Sequence, residues 1–312
     1  MAPPILVTGS HRSGTTWVGR MLALDPGVGY IREPFNPDRW PSWMRSRPPH
    51  WFEYVCAENE AAFAPQVRDM LAFRYPIRNL VAARSTGDVR RLVSEYRSSR
   101  DFRRRGVRPL LKDPIAVLSS EWLADRFGAE IVLLIRHPAA FASSIKRLDW
   151  AFDFRSWTAQ PLLLRDLLGP YEAEIRSFAE HERDLIDQSI LLWNAIHHVI
   201  LGYRERHPGW TFLRHEDLCE DPVGGFRGLF EHLGLTWDAA TAEAIASSSS
   251  DESAKEVPAS QRHNVRRDSK AARWTWLKRL TRDEQDRIRA GTAAVAAAFY
   301  GPEDWDPGNA PS

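Results

Sequence analysis

The sequence predicts an α/β fold in three layers (α/β/α), with a mainly parallel central sheet. Three observations carry this. Pro4 to Thr8 is a short apolar run that ends in Gly9, passes through a Gly/Ser/Thr loop and enters the apolar positions Trp17, Val18, Met21, Leu22 and Leu24: strand, loop, helix. Ile131 to Ile135 is a continuous apolar run, as expected of a parallel strand covered on both faces. Strand-like and helix-like stretches alternate along the chain.

In order, residues 34–52 are rich in Pro and Trp and read as an irregular loop, and 60–75 as helix. Residues 84–108 carry nine arginines and read as a solvated, partly helical surface. Leu110 and Leu111 end a second strand at Lys112, and 119–128 is helical. A helix follows from Pro138, since proline is tolerated in a first helical turn. Residues 149–182 are aromatic and broken by Pro161, Gly169 and Pro170, which suggests an insertion or cap. A long helix over 183–206, a strand at Thr211 to Arg214, helices over 222–233 and 238–247, a Ser-rich then basic loop over 248–273 and a closing helix over 281–299 complete the reading. No linker divides the chain. One domain over 1–312 is expected, with cap segments at about 34–108 and 149–182.

Composition narrows the function. The 312 residues hold 42 basic and 41 acidic side chains, so a global polyanion-binding role is not implied. Two cysteines, Cys56 and Cys219, allow at most one bridge, which suits a reducing compartment. No apolar run reaches the roughly 18 residues of a membrane helix, and the first residues lack the pattern of a secretory signal. The expectation is a cytoplasmic protein with no integral membrane segment. Nothing resembles a nucleic-acid module.

The loop Gly9-Ser10-His11-Arg12-Ser13-Gly14-Thr15-Thr16 offers backbone amides and a helix N-terminus to an anion. Its spacing agrees with the nucleotide-triphosphate pattern GxxxxGK[ST], and the fold is accordingly of the P-loop nucleotide-binding kind. Thr15, however, stands where that pattern needs lysine, and the charge moves inside the loop to Arg12. The loop is therefore read as holding phosphate, but not as a magnesium-bound triphosphate. A second anion site is expected where Ile135 runs into Arg136, at the C-terminal end of a strand, with Ser144 about two turns into the next helix.

Together these segments resemble the sulfotransferases that use 3′-phosphoadenosine 5′-phosphosulfate. The resemblance spans roughly residues 4 to 300 and is strongest in RSGTTW (12–17), IRHPAAFASS (135–144), LLKDP (110–114) and LRHEDLCEDP (213–222). It implies that Gly9, Arg12, Ser13, Gly14, Thr15 and Thr16 bind the 5′-phosphosulfate. It further implies that Trp17 stacks on adenine and that Arg136 and Ser144 hold the 3′-phosphate. Glu33, in IREPFNP, matches the glutamate base of the tyrosylprotein sulfotransferases; a histidine base of the KTH type has no counterpart, because KDP occupies that region. Lys112 matches a lysine that polarises the transferred group. Trp193-Asn194 resembles a pair in the tyrosylprotein branch. His215 stands where many relatives have a tyrosine near adenine, and Lys270 matches a lysine that closes over the cofactor.

The chemistry agrees with these residue types. A sulfuryl group carries one negative charge, so Arg and Lys can replace the magnesium clamp of phosphoryl transfer, and no metal is expected. Arg12 and Lys112 would stabilise charge on the sulfuryl oxygens, and Glu33 would take the acceptor's proton. Partial burial is expected to raise Glu33 towards neutrality. Asp113 reads as structural. The acceptor is expected to be a hydroxyl of a sugar, lipid or secondary metabolite, with the aromatic stretches 40–54 and 149–172 as its walls; oligomeric state is not legible. Two other readings stay open: a P-loop small-molecule kinase, and a non-catalytic anion-binding module using the Arg-rich segment.

Overall fold

The computed structural model describes residues 2–249, 273–306 and 308. Five strands form one sheet: β1 (Ile5–Gly9), β2 (Val28–Arg32), β3 (Arg108–Lys112), β4 (Glu130–Ile135) and β5 (Thr211–Arg214), in the order β2-β3-β1-β4-β5. Every pairing is parallel. The α/β reading holds, with one strand more on its edge than the apolar runs suggest. That strand is β2, which is short and interrupted by Gly29; Gly29 leaves room for Phe73, whose ring would lie 2.5 Å from an added Cβ.

Side chains alternate across the sheet, and each face meets its own layer. Ile5, Val7, Leu110, Val132 and Leu134 pack with Val18, Met21 and Leu22 of α1 (Thr15–Leu22) and with Phe226, Leu229 and Phe230 of the helix Pro222–His232. Leu6, Leu111, Ile131, Leu133 and Ile135 pack on the other face with Leu192, Trp193, Ile196 and Ile200 of the long helix Leu185–Arg206. This second core also takes in the two segments read as caps. Phe35, Trp43 and Phe52 enter it from one, and Phe152, Phe154 and Trp157 from the other. Trp157 is completely buried, so much of the aromatic content of 149–182 packs the interior rather than lining an open wall. Both cysteines are free. Among the described residues no helix is long and apolar enough to cross a membrane.

The topology defines where a ligand can sit. From β1 the chain moves outward to β2, returns to β3 and then crosses to β4, so the switch point lies at the C-terminal end of β1. Register places the end of β1 beside its neighbours, with Val7 opposite Lys112 and Gly9 opposite Leu134. Gly9 has φ 139°, and a Cβ there would lie 2.2 Å from the Leu134 carbonyl oxygen. Only glycine lets the chain turn into the loop without parting β1 from β4. Gly9→Ala should destabilise the fold by about 2–3 kcal/mol and lower Tm by about 3–5 °C in scanning calorimetry.

Candidate active site

The loop between β1 and α1 is tight. Ser13 N–H donates to the Ser10 carbonyl at 3.1 Å, and Trp17 N–H to the Gly14 carbonyl at 2.9 Å. Gly14 adopts φ 97°, and an added Cβ would meet the His215 ring at 2.4 Å. Arg12 also has positive φ, 70°, a conformation that costs a non-glycine residue energy. The hydroxyls of Ser10 and Ser13 are buried without a hydrogen-bond partner among the described residues. Such groups cost free energy unless something else satisfies them. Thr15, at the first position of α1, is buried, while Thr16 is half-buried.

The second anion motif closes directly on this loop. Arg12 Nε donates at 3.0 Å to Ser144 Oγ, which lies in the helix Pro138–Leu148. Arg136, just past β4, donates through Nη1 to the Arg12 carbonyl oxygen. Arg136 is buried, and its Nε has no partner among the described residues. Burial lowers its pKa, against the opposing pull of the Glu216 carboxylate. Glu216 is itself buried; its carboxylate accepts from the His137 N–H at 3.1 Å and the Tyr300 hydroxyl at 2.9 Å. Burial pushes the Glu216 carboxyl up, with Arg136 pulling it back. The Arg136 carbonyl takes a hydrogen bond from Trp193 Nε1 at 2.9 Å. Asn194, beside it, donates instead to Gly291 at 2.8 Å.

Glu33 and Lys112 meet on the other side of β1. Glu33 follows β2, with φ 48°, and its N–H donates to the Lys112 carbonyl at 2.8 Å. Lys112 is completely buried, and its ammonium pairs with Glu33 Oε1. Asn36 Nδ2 donates to the other carboxylate oxygen at 3.1 Å, and Arg32 Nε lies 3.9 Å from the first. This corrects the expectation that burial would bring Glu33 towards neutrality. Burial does push the carboxyl up, but Lys112, Arg32 and Arg39 override it and hold the pKa at about 2. On Lys112 burial prevails over its carboxylate partner and lowers the pKa.

Asp113 carries a structural load that its place in the KDP run only hints at. Its carboxylate accepts from the Phe35 N–H at 2.7 Å and the Ile115 N–H at 3.1 Å, fastening the turn after Glu33 to the end of β3. Burial, with Glu33 nearby, raises its pKa to about 7. On the remaining flank Trp17 Nε1 donates to Ser248 Oγ at 3.2 Å, and its ring meets His215 and Phe226 edge-on at 6.0 and 5.1 Å. His215 is buried against Gly14, 3.4 Å from the Cys219 sulfur. Lys270 lies outside the described residues.

Reading the sequence passed over two parts of this neighbourhood. One is the support behind Arg136 by Glu216 and Tyr300, which Trp193, noted in the sequence only as half of the Trp193-Asn194 pair, completes through the Arg136 carbonyl. The other is His11, buried, with both ring nitrogens unpartnered among the described residues. Burial, with Arg12 beside it, lowers its pKa to about 3, so the ring is neutral. Phe52 and Trp150, one from each aromatic segment, touch it at ring distances of 5.7 and 4.4 Å. The position of His11 between two loop residues with assigned roles was the available signal.

The parallel sheet, the glycine-rich loop and the converging cations have the arrangement of an α/β enzyme. The model of the sulfotransferase family matches residues 3–239, and the chain belongs to that family. It is a transferase of the sulfuryl group, and the family implies a sulfate donor. No curated protein is similar enough in sequence to count as a match. Among solved structures, the sulfotransferase domain from the olefin synthase of Synechococcus PCC 7002 is similar at 17% identity, over 96% of this chain and 97% of that one, with a TM-score of 0.47. The sulfotransferase domain from the curacin biosynthetic pathway is similar at 15% identity over 96% and 98%, with a TM-score of 0.49. A sulfotransferase from Alicyclobacillus acidocaldarius is similar at 16% identity over 98% and 99%, with a TM-score of 0.44.

The Glu33–Lys112 pair makes a measurable statement about pH. The Glu33 pKa drops from 4.5 to about 2 on folding, so its stabilising contribution is complete above pH 4.5 and lost as pH falls through about 2. In urea unfolding, the stability advantage of wild type over Glu33→Gln should therefore shrink across that window. In Lys112→Met the burial effect is left with less opposition, and an NMR titration should find the Glu33 carboxyl well above its wild-type value.

Proposed function

We propose that this chain transfers a sulfuryl group in line from 3′-phosphoadenosine 5′-phosphosulfate to an acceptor hydroxyl of a sugar, a lipid or a secondary metabolite. It does so as a single cytoplasmic domain, with no metal and no nucleic-acid partner. The observation that carries the reading is Arg136. It is a buried cation held against the loop after β1, its Nε has no partner among the described residues, and it is linked through Arg12 to the hydroxyl of Ser144. A desolvated guanidinium facing a glycine-lined loop with two unpartnered serine hydroxyls suits a ligand with two phosphate groups.

The residues divide the work. Gly9, Ser13, Gly14, Thr15 and Thr16 would hold the 5′ end through loop amides and hydroxyls, and Arg136 with Ser144 the 3′-phosphate. Trp17 and His215 border the adenine, with Lys270 assigned there on sequence alone. The donor supplies the sulfuryl group. Arg12 and Lys112 present positive charge where negative charge develops, in a buried setting that strengthens the attraction. Glu33 takes the acceptor proton. Its low pKa makes it a weak base while Lys112 is wholly committed to it. Sharing the ammonium with an anionic sulfuryl group would relax that hold and raise its basicity.

Calorimetric titration tests the donor site. 3′,5′-Phosphoadenosine should bind without magnesium, and Arg136→Ala should weaken it by about ten- to a hundredfold. A preference for ATP with magnesium would overturn the reading in favour of a kinase, and no nucleotide binding by folded protein would favour an anion-binding module. Glu33→Gln should leave that affinity within a factor of a few and lower kcat by about 10²–10⁴.

A further inference from the structure

The Arg-rich stretch is not absorbed by the reaction, and exposed apolar side chains gather at its start. Five large apolar side chains are exposed among the described residues, and three of them fall in one short stretch: Ile77 (52% exposed), Val81 (91%) and Val89 (45%). They lie on the 3₁₀ helix Ile77–Ala82 and the start of the helix Thr86–Arg105. With three residues per turn, buried Asn79 faces inward, so Arg78 and Val81 share one outward side while Ile77 and Leu80 share the other. Arg78, Arg84 and Arg90 are exposed between and beside these side chains and make no ion pair among the described residues. The one acidic residue in this stretch, Asp88, is taken by Arg91 at 3.0 Å. Aliphatic side chains standing free among unneutralised arginines suit a surface that is both anionic and oily.

The patch also lies at the edge of the sheet from which Glu33 emerges. The C-terminal end of the helix Thr86–Arg105 is at the N-terminal edge of the sheet, where Arg105 donates to the Pro26 carbonyl and the Arg108 N–H to that of Gly27. The helix is 20 residues long, about 30 Å, so its other end passes the opposite edge, where Glu33 emerges. Direct bonds confirm the placement. Asn79 Nδ2 donates to the Ser42 and Met44 carbonyls at 2.9 and 2.7 Å, and Arg91 to the Pro41 carbonyl at 2.9 Å. Arg39 bonds Glu95 at 3.1 Å and acts on the charge of Glu33. The chain from Glu33 to Met44 is therefore fastened to the underside of the patch.

We propose that this face docks on an anionic lipid bilayer and turns the Glu33 side of the site towards a hydroxyl carried by a membrane lipid. The choice of acceptor rests on the sulfuryl-transfer reading; the docking does not.

Cosedimentation of the full chain with vesicles tests it, comparing phosphatidylcholine alone with phosphatidylcholine containing one third phosphatidylglycerol. Binding should favour the anionic vesicles and weaken with salt. The triple variant Arg78→Ala, Arg84→Ala, Arg90→Ala should reduce partitioning on the order of a hundredfold, and Ile77→Ser, Val81→Ser, Val89→Ser should remove the binding that survives high salt. Both variants should bind 3′,5′-phosphoadenosine as wild type does, which shows that they fold and keeps the two readings separable. Absence of binding to anionic vesicles, or binding unchanged in both variants, overturns the proposal. So does a dimer that the serine variant dissociates in the absence of vesicle binding, since that result gives the face to a second copy of the chain.

Discussion

The structure around the site is organised by the cost of keeping Arg136 charged away from water. A buried guanidinium has to be met by oxygen on several sides. The Arg12 carbonyl meets it from the loop, and Glu216 balances its charge from the segment after β5. Glu216 is in turn held by Tyr300 near the C-terminus, and Trp193 of the long helix fixes the Arg136 carbonyl. Segments from five parts of the chain are drawn together by one cation. Arg12 presents that backbone oxygen from a left-handed conformation, so conformational strain in the loop and charge compensation behind it meet at one residue.

That strain has a pattern. Five non-glycine residues have positive φ among those described: Arg12, Glu33, Phe52, Phe73 and Asp149. Two of them are the proposed loop cation and the proposed base. Phe52 touches His11, and Asp149 precedes Trp150, which touches it too. Four of the five thus lie in or beside the candidate site, and the fifth, Phe73, packs against Gly29 of β2. The Glu33–Lys112 pair follows the same logic. Asp113 and the Glu33 N–H hold the turn on β3, so the ion pair forms between two anchored backbones rather than two mobile side chains.

Much of this was legible from the residues. Ile131 to Ile135 and the passage from Pro4 through Thr16 have patterns that fit a buried strand and a tight turn from strand into helix, and the strand–helix alternation followed. β2 was not legible, because Gly29 breaks its apolar run and an edge strand needs less of one. The charge state of Glu33 was misjudged for a plainer reason. Sequence suggests burial, but a pKa depends on which ion lies within a few ångströms, and the pairing of β2 with β3 brings Lys112 there. The aromatic stretch over 149–182 reads as a cap because prolines and glycine interrupt it; that Trp157 turns inward depends on the space left by the long helix and the 50–55 segment.

The register of the strands separates two properties that enzymes often entangle. Val7 opposite Lys112, Arg32 opposite Lys112 and Gly9 opposite Leu134 set the spacing of the reactive groups through main-chain pairing. That spacing is indifferent to what the aromatic segments carry, and those segments reach the loop through the ring of His11. Selection could therefore exchange the surfaces that admit an alcohol while leaving the machinery that handles the anion untouched. A lineage built on this frame can diversify its products without rebuilding its chemistry.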